Sequence, residues 1–115
     1  MKHKTYFFIG IVLIMGIAMM GIQASATAPR YLGLKYTPGT LKVTILHFSP
    51  VPKIHYIYKV DVEKNGVIYL SQQYTSQPKI LFYTYTYNVN ATTGDVLRVT
   101  ATCVLFGHLT RSITV

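Results

Sequence analysis

From Leu41 onward, apolar and polar residues alternate with a period of two, in blocks separated by turn-forming residues. Leu41, Val43 and Ile45 alternate with Lys42, Thr44 and Leu46. Ile54, Tyr56, Tyr58, Val60 and Val62 form a second set, with Lys59, Asp61 and Glu63 opposite. Asn65-Gly66 follows, and because both residues tolerate positive φ it predicts a tight hairpin, with residues 67–74 as the returning strand. Ser76-Gln77-Pro78 breaks that strand. Leu81, Tyr83, Tyr85, Tyr87 and Val89 make a fourth set, and residues 90–95 a polar turn. Leu97, Val99, Ala101, Cys103 and Leu105 make a fifth, Gly107-His108 turns the chain, and residues 109–115 form the last strand. With a short strand near residues 31–36, the pattern predicts about seven strands at the spacing of an all-β antiparallel sandwich. No segment after residue 26 has a helical period.

The amino terminus reads differently. Lys2 and Lys4 precede an uncharged apolar run over residues 6–22, and Ala24-Ser25-Ala26 supplies the small residues of a cleavage site. A basic start, an apolar middle and an A-x-A end predict an export signal cut after Ala26. Retained, the same run would be a short membrane anchor. The chain therefore divides into an export signal over 1–26, a linker and short first strand over 27–40, and a sandwich domain over 41–115, delivered to the cell surface or beyond. Residues 27–115 keep nine basic and all three acidic side chains, a formal charge of +6. One cysteine, Cys103, excludes an intramolecular disulfide, so packing must hold the domain together.

Phosphate-binding glycine loops, nucleophile elbows and H-E-x-x-H helices are absent from the sequence. Asp61 and Glu63 read as a solvated strand face among basic residues. Three acids are too few for a calcium or magnesium site, which needs several oxygen ligands. The groups left for metal chemistry are His47, His55, Cys103 and His108, a donor set that suits zinc, copper or iron. By parity Cys103 faces the core and His55 faces out, while His108 lies in a turn. Tyr83, Tyr85 and Tyr87 share one sheet face, either as core or as an exposed strip that could bind a glycan or a protein. Asn90-Ala91-Thr92 makes Asn90 a glycosylation acceptor in a surface turn.

Two segments resemble the iron domain of superoxide reductases, the desulfoferrodoxins. They are HYIYKVDVEKNGVIYLSQQYTSQP at residues 55–78 and GDVLRVTATCVLFG at residues 94–107. That family has a histidine opening an H-Y-I strand, an N-G hairpin and a late strand ending in C-N-x-H-G. The resemblance implies a seven-stranded immunoglobulin-like sandwich with iron held by four histidines and one cysteine. It matches His55 to the H-Y-I histidine and Cys103 to the thiolate ligand, and lets His47 stand for the histidine upstream. Val104 and Phe106 stand where the family has asparagine and histidine. The resemblance thus implies a vestigial site of His47, His55 and Cys103 at one end of the sandwich, with Phe106 filling part of the ligand space.

These readings favour a non-enzymatic binding or structural module at the cell envelope, with no cofactor. Its partner would be an envelope protein or an anionic polymer or glycan, not nucleic acid, and any membrane contact would run through residues 6–22 alone. The alternative is a superoxide-reductase-like protein carrying iron or another transition metal in a degenerate site.

Overall fold

The computed structural model describes residues 27–115; the expected export segment, residues 1–26, lies outside the described residues. Seven strands follow in chain order: β1 (Tyr31–Thr37), β2 (Gly39–Leu46), β3 (Ile57–Lys64), β4 (Val67–Gln73), β5 (Phe82–Val89), β6 (Val96–Cys103) and β7 (His108–Thr114). They form two antiparallel sheets, β1-β2-β5 and β4-β3-β6-β7, with no helix among the described residues. The all-β sandwich expected from the alternation is the observed architecture.

Local chemistry explains the turns. Pro38 precedes Gly39, whose φ of 85° few other residues reach without strain, and together they fold β1 tightly onto β2. Asn65 and Gly66 take φ values of 53° and 82°, the paired positive values of a type I′ hairpin turn between β3 and β4. The first strand is a full member of its sheet, paired from Tyr31 opposite Leu46 to Thr37 opposite Thr40, with Leu32 buried in the core.

The core fills the space between the sheets. Leu32, Leu41, Val43, Ile45, Tyr83, Tyr87 and Val89 come from one sheet; Ile57, Val60, Val62, Leu97, Val99, Ala101 and Cys103 come from the other. Burial of each large aliphatic side chain contributes roughly 1.5–3 kcal/mol. Among the described residues these side chains and strand pairings close one core between the two sheets, and a segment of this length can enclose one.

Two strands carry an extra residue: β4 at Tyr69, between the partners of Val62 and Glu63, and β3 near the cluster end. Ile57 pairs with Cys103 but Lys59 pairs with Thr102, so β3 carries one extra residue at Tyr58. Ile57 and Val60, three apart, therefore both point inward. The strand also starts later than the alternation suggests, and Ile54 projects from the preceding turn at 68 % exposure. Leu81 and Leu105 likewise fall outside their strands and are exposed, because β5 begins at Phe82 and β6 ends at Cys103.

Antiparallel pairing gathers the connections at two ends. At one, here the cluster end, lie the start of the described chain, the β2–β3 connection (47–56), the β4–β5 connection (74–81) and the β6–β7 connection (104–107). At the other, the turn end, lie the Pro38-Gly39 and Asn65-Gly66 turns, residues 90–95 and the carboxyl terminus.

Candidate metal centre

Three side chains converge at the cluster end. His47 follows β2, His55 closes the turn before β3, and Cys103 ends β6. One ligand atom from each lies within 4.8 Å of the other two. Cys103 and His47 are buried, at 3 % and 2 % exposure. The bulge at Tyr58 corrects the expectation that His55 faces out. With the extra residue in β3, the inward parity set by Val60 passes through Ile57 to the segment carrying His55. The two imidazoles meet edge to face, with ring centroids 4.7 Å apart.

Backbone and polar contacts hold each ligand in place. The Cys103 N–H donates to the Gly107 carbonyl at 2.9 Å, and the Val104 N–H to the Tyr56 carbonyl at 2.9 Å, which ties the end of β6 to the start of β3. The turn carrying His55 is closed by hydrogen bonds from the Ile54 and His55 N–H groups to the Val51 carbonyl. It is fastened to the end of β2 by the buried Ser49, whose hydroxyl donates to the His55 carbonyl.

Gln77 orients His47. The Gln77 side-chain NH₂ donates to the carbonyls of His47 (3.0 Å) and Lys79 (2.9 Å), which leaves its Oε1 to accept from His47 Nδ1 at 2.7 Å. The Nδ1 proton is thereby assigned, and a neutral His47 must present its lone pair at Nε2. That lone pair faces the Thr27 carbonyl oxygen at 3.0 Å. Two acceptors at that distance need a proton or a cation between them. A histidine that donates its second nitrogen to an amide or carbonyl oxygen is the usual arrangement behind a metal ligand.

His55 Nε2 is a second sign. It is buried without a hydrogen-bond partner, which for a polar atom costs about 1–3 kcal/mol. Burial, and then the neighbouring His47, hold the His55 pKa below its ordinary value of 6.5, favouring the neutral, ligating form. Metal bonds of about 2.0–2.3 Å place neighbouring ligands about 3–3.6 Å apart, so the cluster, within 4.8 Å, would have to draw in by about an ångström or more to close on one ion. The donors present thus fit a transition metal: two imidazoles, a thiolate and, within reach, the Thr27 carbonyl.

Several expectations change here. Phe106 does not fill the ligand space; at 60 % exposure its ring points away from the core. His108 opens β7 opposite Thr102, is exposed and lies outside the cluster. Tyr83, Tyr85 and Tyr87 do not form an exposed strip. Tyr83 and Tyr87 are core, and Tyr85 is half-buried, stacked on Tyr74 with centroids 4.3 Å apart. Burial, with the Tyr74 hydroxyl nearby, raises the Tyr85 pKa to about 12, and burial raises those of Tyr83 and Tyr87 further. Asn90 is exposed at the turn end. Gln77 and Thr27 carry no motif that would have singled them out; a lone glutamine in a Ser-Gln-Pro turn reads as solvated.

No family model matches the chain, and no curated protein matches it. Solved structures do. The chain is similar to a one-iron superoxide reductase from Giardia intestinalis, with TM-score 0.56 and 15% identity over 77% of this chain and 97% of that one. It is also similar to two neelaredoxin superoxide reductases from Ignicoccus hospitalis. Their TM-scores are 0.43 and 0.46, with 14% and 16% identity over 75% and 81% of this chain and 80% and 84% of theirs. The likeness is one of fold. It overturns the expectation of a non-enzymatic binding or structural module. The fold neighbours are superoxide reductases, and the three side chains matched to that family's ligands come together.

Proposed function

We propose that this protein is a superoxide-reductase-like metal protein that holds a single transition-metal ion through His47, His55 and Cys103. The observation that carries the reading is the convergence of two imidazoles and a thiol within 4.8 Å, one imidazole nitrogen buried and unpartnered. The fold supports it independently. An ion in this site would supply one-electron redox chemistry or Lewis acidity, according to its identity.

The protein's own residues do the rest. Gln77 fixes the His47 ring through Nδ1 and so leaves Nε2, now facing the Thr27 carbonyl oxygen, as the nitrogen free to ligate. Ser49 and the 51–55 turn set the approach of His55. The backbone bridge from Val104 to Tyr56 keeps Cys103 at the mouth of the sandwich. Thr27 and Ala28 close over the same end: the Thr27 hydroxyl donates to the Phe106 carbonyl, and Ala28 packs so closely on Gly107 that a Cβ there would meet it at 3.0 Å. With fewer histidines than the reductases it resembles, the three side chains would hold an ion while leaving it accessible to water or a small oxidant such as superoxide.

The test is anaerobic titration of residues 27–115 with ferrous iron, and separately with zinc, followed by metal analysis and absorption spectroscopy. One equivalent bound, with a thiolate charge-transfer band after oxidation of the iron form, is the expected result. Superoxide consumption by the ferrous form, with one hydrogen peroxide formed and one iron oxidised to ferric per superoxide, and absent from the zinc form, would establish the reductase activity. Substoichiometric metal with no such band would overturn the reading.

A further inference from the structure

The cluster end carries more exposed apolar surface than a small β domain needs. Phe48, Ile54, Ile80, Leu105 and Phe106 are each at least 56 % exposed, and Leu81 stands among them. They come from three connections that touch one another. The Ser49 N–H donates to the Ile80 carbonyl at 2.7 Å, and the His47 N–H to the Leu81 carbonyl at 2.8 Å. The Val104 N–H reaches the Tyr56 carbonyl on the third side. The bonded connections therefore gather these exposed apolar residues at the same end of the sandwich as the His47–His55–Cys103 cluster. Contiguous patches of this kind mark interaction surfaces.

Charge and chain path identify the partner. Lys53 and Lys79 are exposed on two of the same connections, and Arg30 on the segment beside them. All three acids lie elsewhere: Asp61 within β3, bonded to the Ser71 hydroxyl, and Glu63 and Asp95 toward the turn end. Thr27 is bound at this end through the Phe106 carbonyl. Only residues 23–26 separate it from the apolar run of residues 6–22. Four residues reach at most about 14 Å. Where the run over residues 6–22 is retained in a membrane, or before it is cut, so short a connection holds this face of the domain at the bilayer surface.

We propose that the cluster end docks on an anionic lipid bilayer. The apolar connections enter the headgroup region, the flanking lysines and arginine meet the lipid phosphates, and the His47–His55–Cys103 cluster faces the membrane. The proposal does not depend on the metal reading. It differs from membrane contact through residues 6–22 alone, because it assigns affinity to the folded domain.

The experiment is vesicle co-sedimentation of residues 27–115, with phosphatidylcholine vesicles containing phosphatidylglycerol and with phosphatidylcholine alone. Binding to the anionic vesicles is expected, reduced about tenfold or more in the triple variant Phe48→Ser, Ile54→Ser and Phe106→Ser. The turn-end control Val67→Ser with Ile68→Ser should bind as the parent does. Charge reversal by Lys53→Glu with Lys79→Glu should abolish the preference for anionic vesicles. This arm stands even where the triple variant fails to fold, as thermal melts would show. No binding by the parent, or equal binding by the parent and the charge-reversed variant, would overturn the proposal. So would self-association of the parent, lost in the triple variant, without vesicle binding; that would assign the face to a second copy of the chain.

Discussion

The two ends of the sandwich are built on opposite terms. At the turn end, polar groups are satisfied by each other. The Asn65 side chain donates to Asp95 Oδ1 at 2.9 Å and accepts from the Val96 N–H at 2.9 Å, while Asp95 Oδ2 accepts from the Thr92 N–H at 2.9 Å. The Tyr36 hydroxyl on β1 accepts from the Ala91 N–H and donates to the Ala91 carbonyl in the connection that follows β5. The Thr92 and Asn65 donors hold the Asp95 carboxyl below the usual carboxylate range. At the cluster end polar side chains are buried without such closure: His47, Ser49 and Gln77 lie inside, one imidazole nitrogen is unpartnered and another faces a carbonyl oxygen. A chain that closes its polar accounts so fully at one end has the means to do so at the other. Departures from local consistency tend to collect where a protein acts.

The sharpest way to break this contrast is to remove the thiolate. Cys103→Ser should lower metal affinity by about 100-fold or more, read by calorimetry, because a soft ligand is exchanged for a poor one. At the turn end, Gly66→Ala should leave metal affinity unchanged while costing about 1 kcal/mol of stability, since alanine resists the φ of 82°. Gln77→Ala joins the two readouts. It should weaken metal binding by about 10-fold or more by freeing the His47 ring. It should also destabilise the metal-free protein by about 1–3 kcal/mol, because buried carbonyls lose their donor.

Acid should separate the ends more gently. With the His55 pKa lowered, the unfolded chain holds more protons than the folded one below pH 6.5, so stability falls as pH drops through that range. The Asp95 contribution has the same sign but a different window: it persists above its ordinary value of 3.8 and is lost as pH falls through the lower folded value. Hydrogen exchange of the metal-free protein should therefore show amides near Cys103 losing protection at milder acidity than those near Val96. The smallest effect belongs to His108→Ala, which should change metal affinity less than about twofold, because an exposed strand residue opposite Thr102 is no ligand.

Most of the fold is legible as period-two patterning. The alternations at Leu41–Val43–Ile45 and Leu97–Val99–Ala101–Cys103 are core in full, and Asn65-Gly66 makes the hairpin its dihedral preferences require. What misleads is strand length and parity. Leu81 and Leu105 continue an apolar rhythm past the ends of their strands, since a sequence pattern does not mark where pairing stops. Of the candidate site, His55 and Cys103 are legible through the flanking HYI and late-strand segments, and His47 as the histidine upstream of them. Gln77 and Thr27 are not, because their importance lies in hydrogen bonds made across 30 and 20 residues of chain, which leave no local trace.

The extra residue at Tyr58 behaves like a shift of reading frame within the strand. Upstream of it, the side chains that meet the core are counted on one parity; downstream, on the other. No particular side chain is required for that, only the count. Deleting position 58 would leave every ligand in the sequence and every apolar residue in its block, yet the segment carrying His55 and Ile57 would be counted outward. Screens that substitute residues one at a time would therefore miss this determinant, whereas libraries of single-residue insertions and deletions would find it at once.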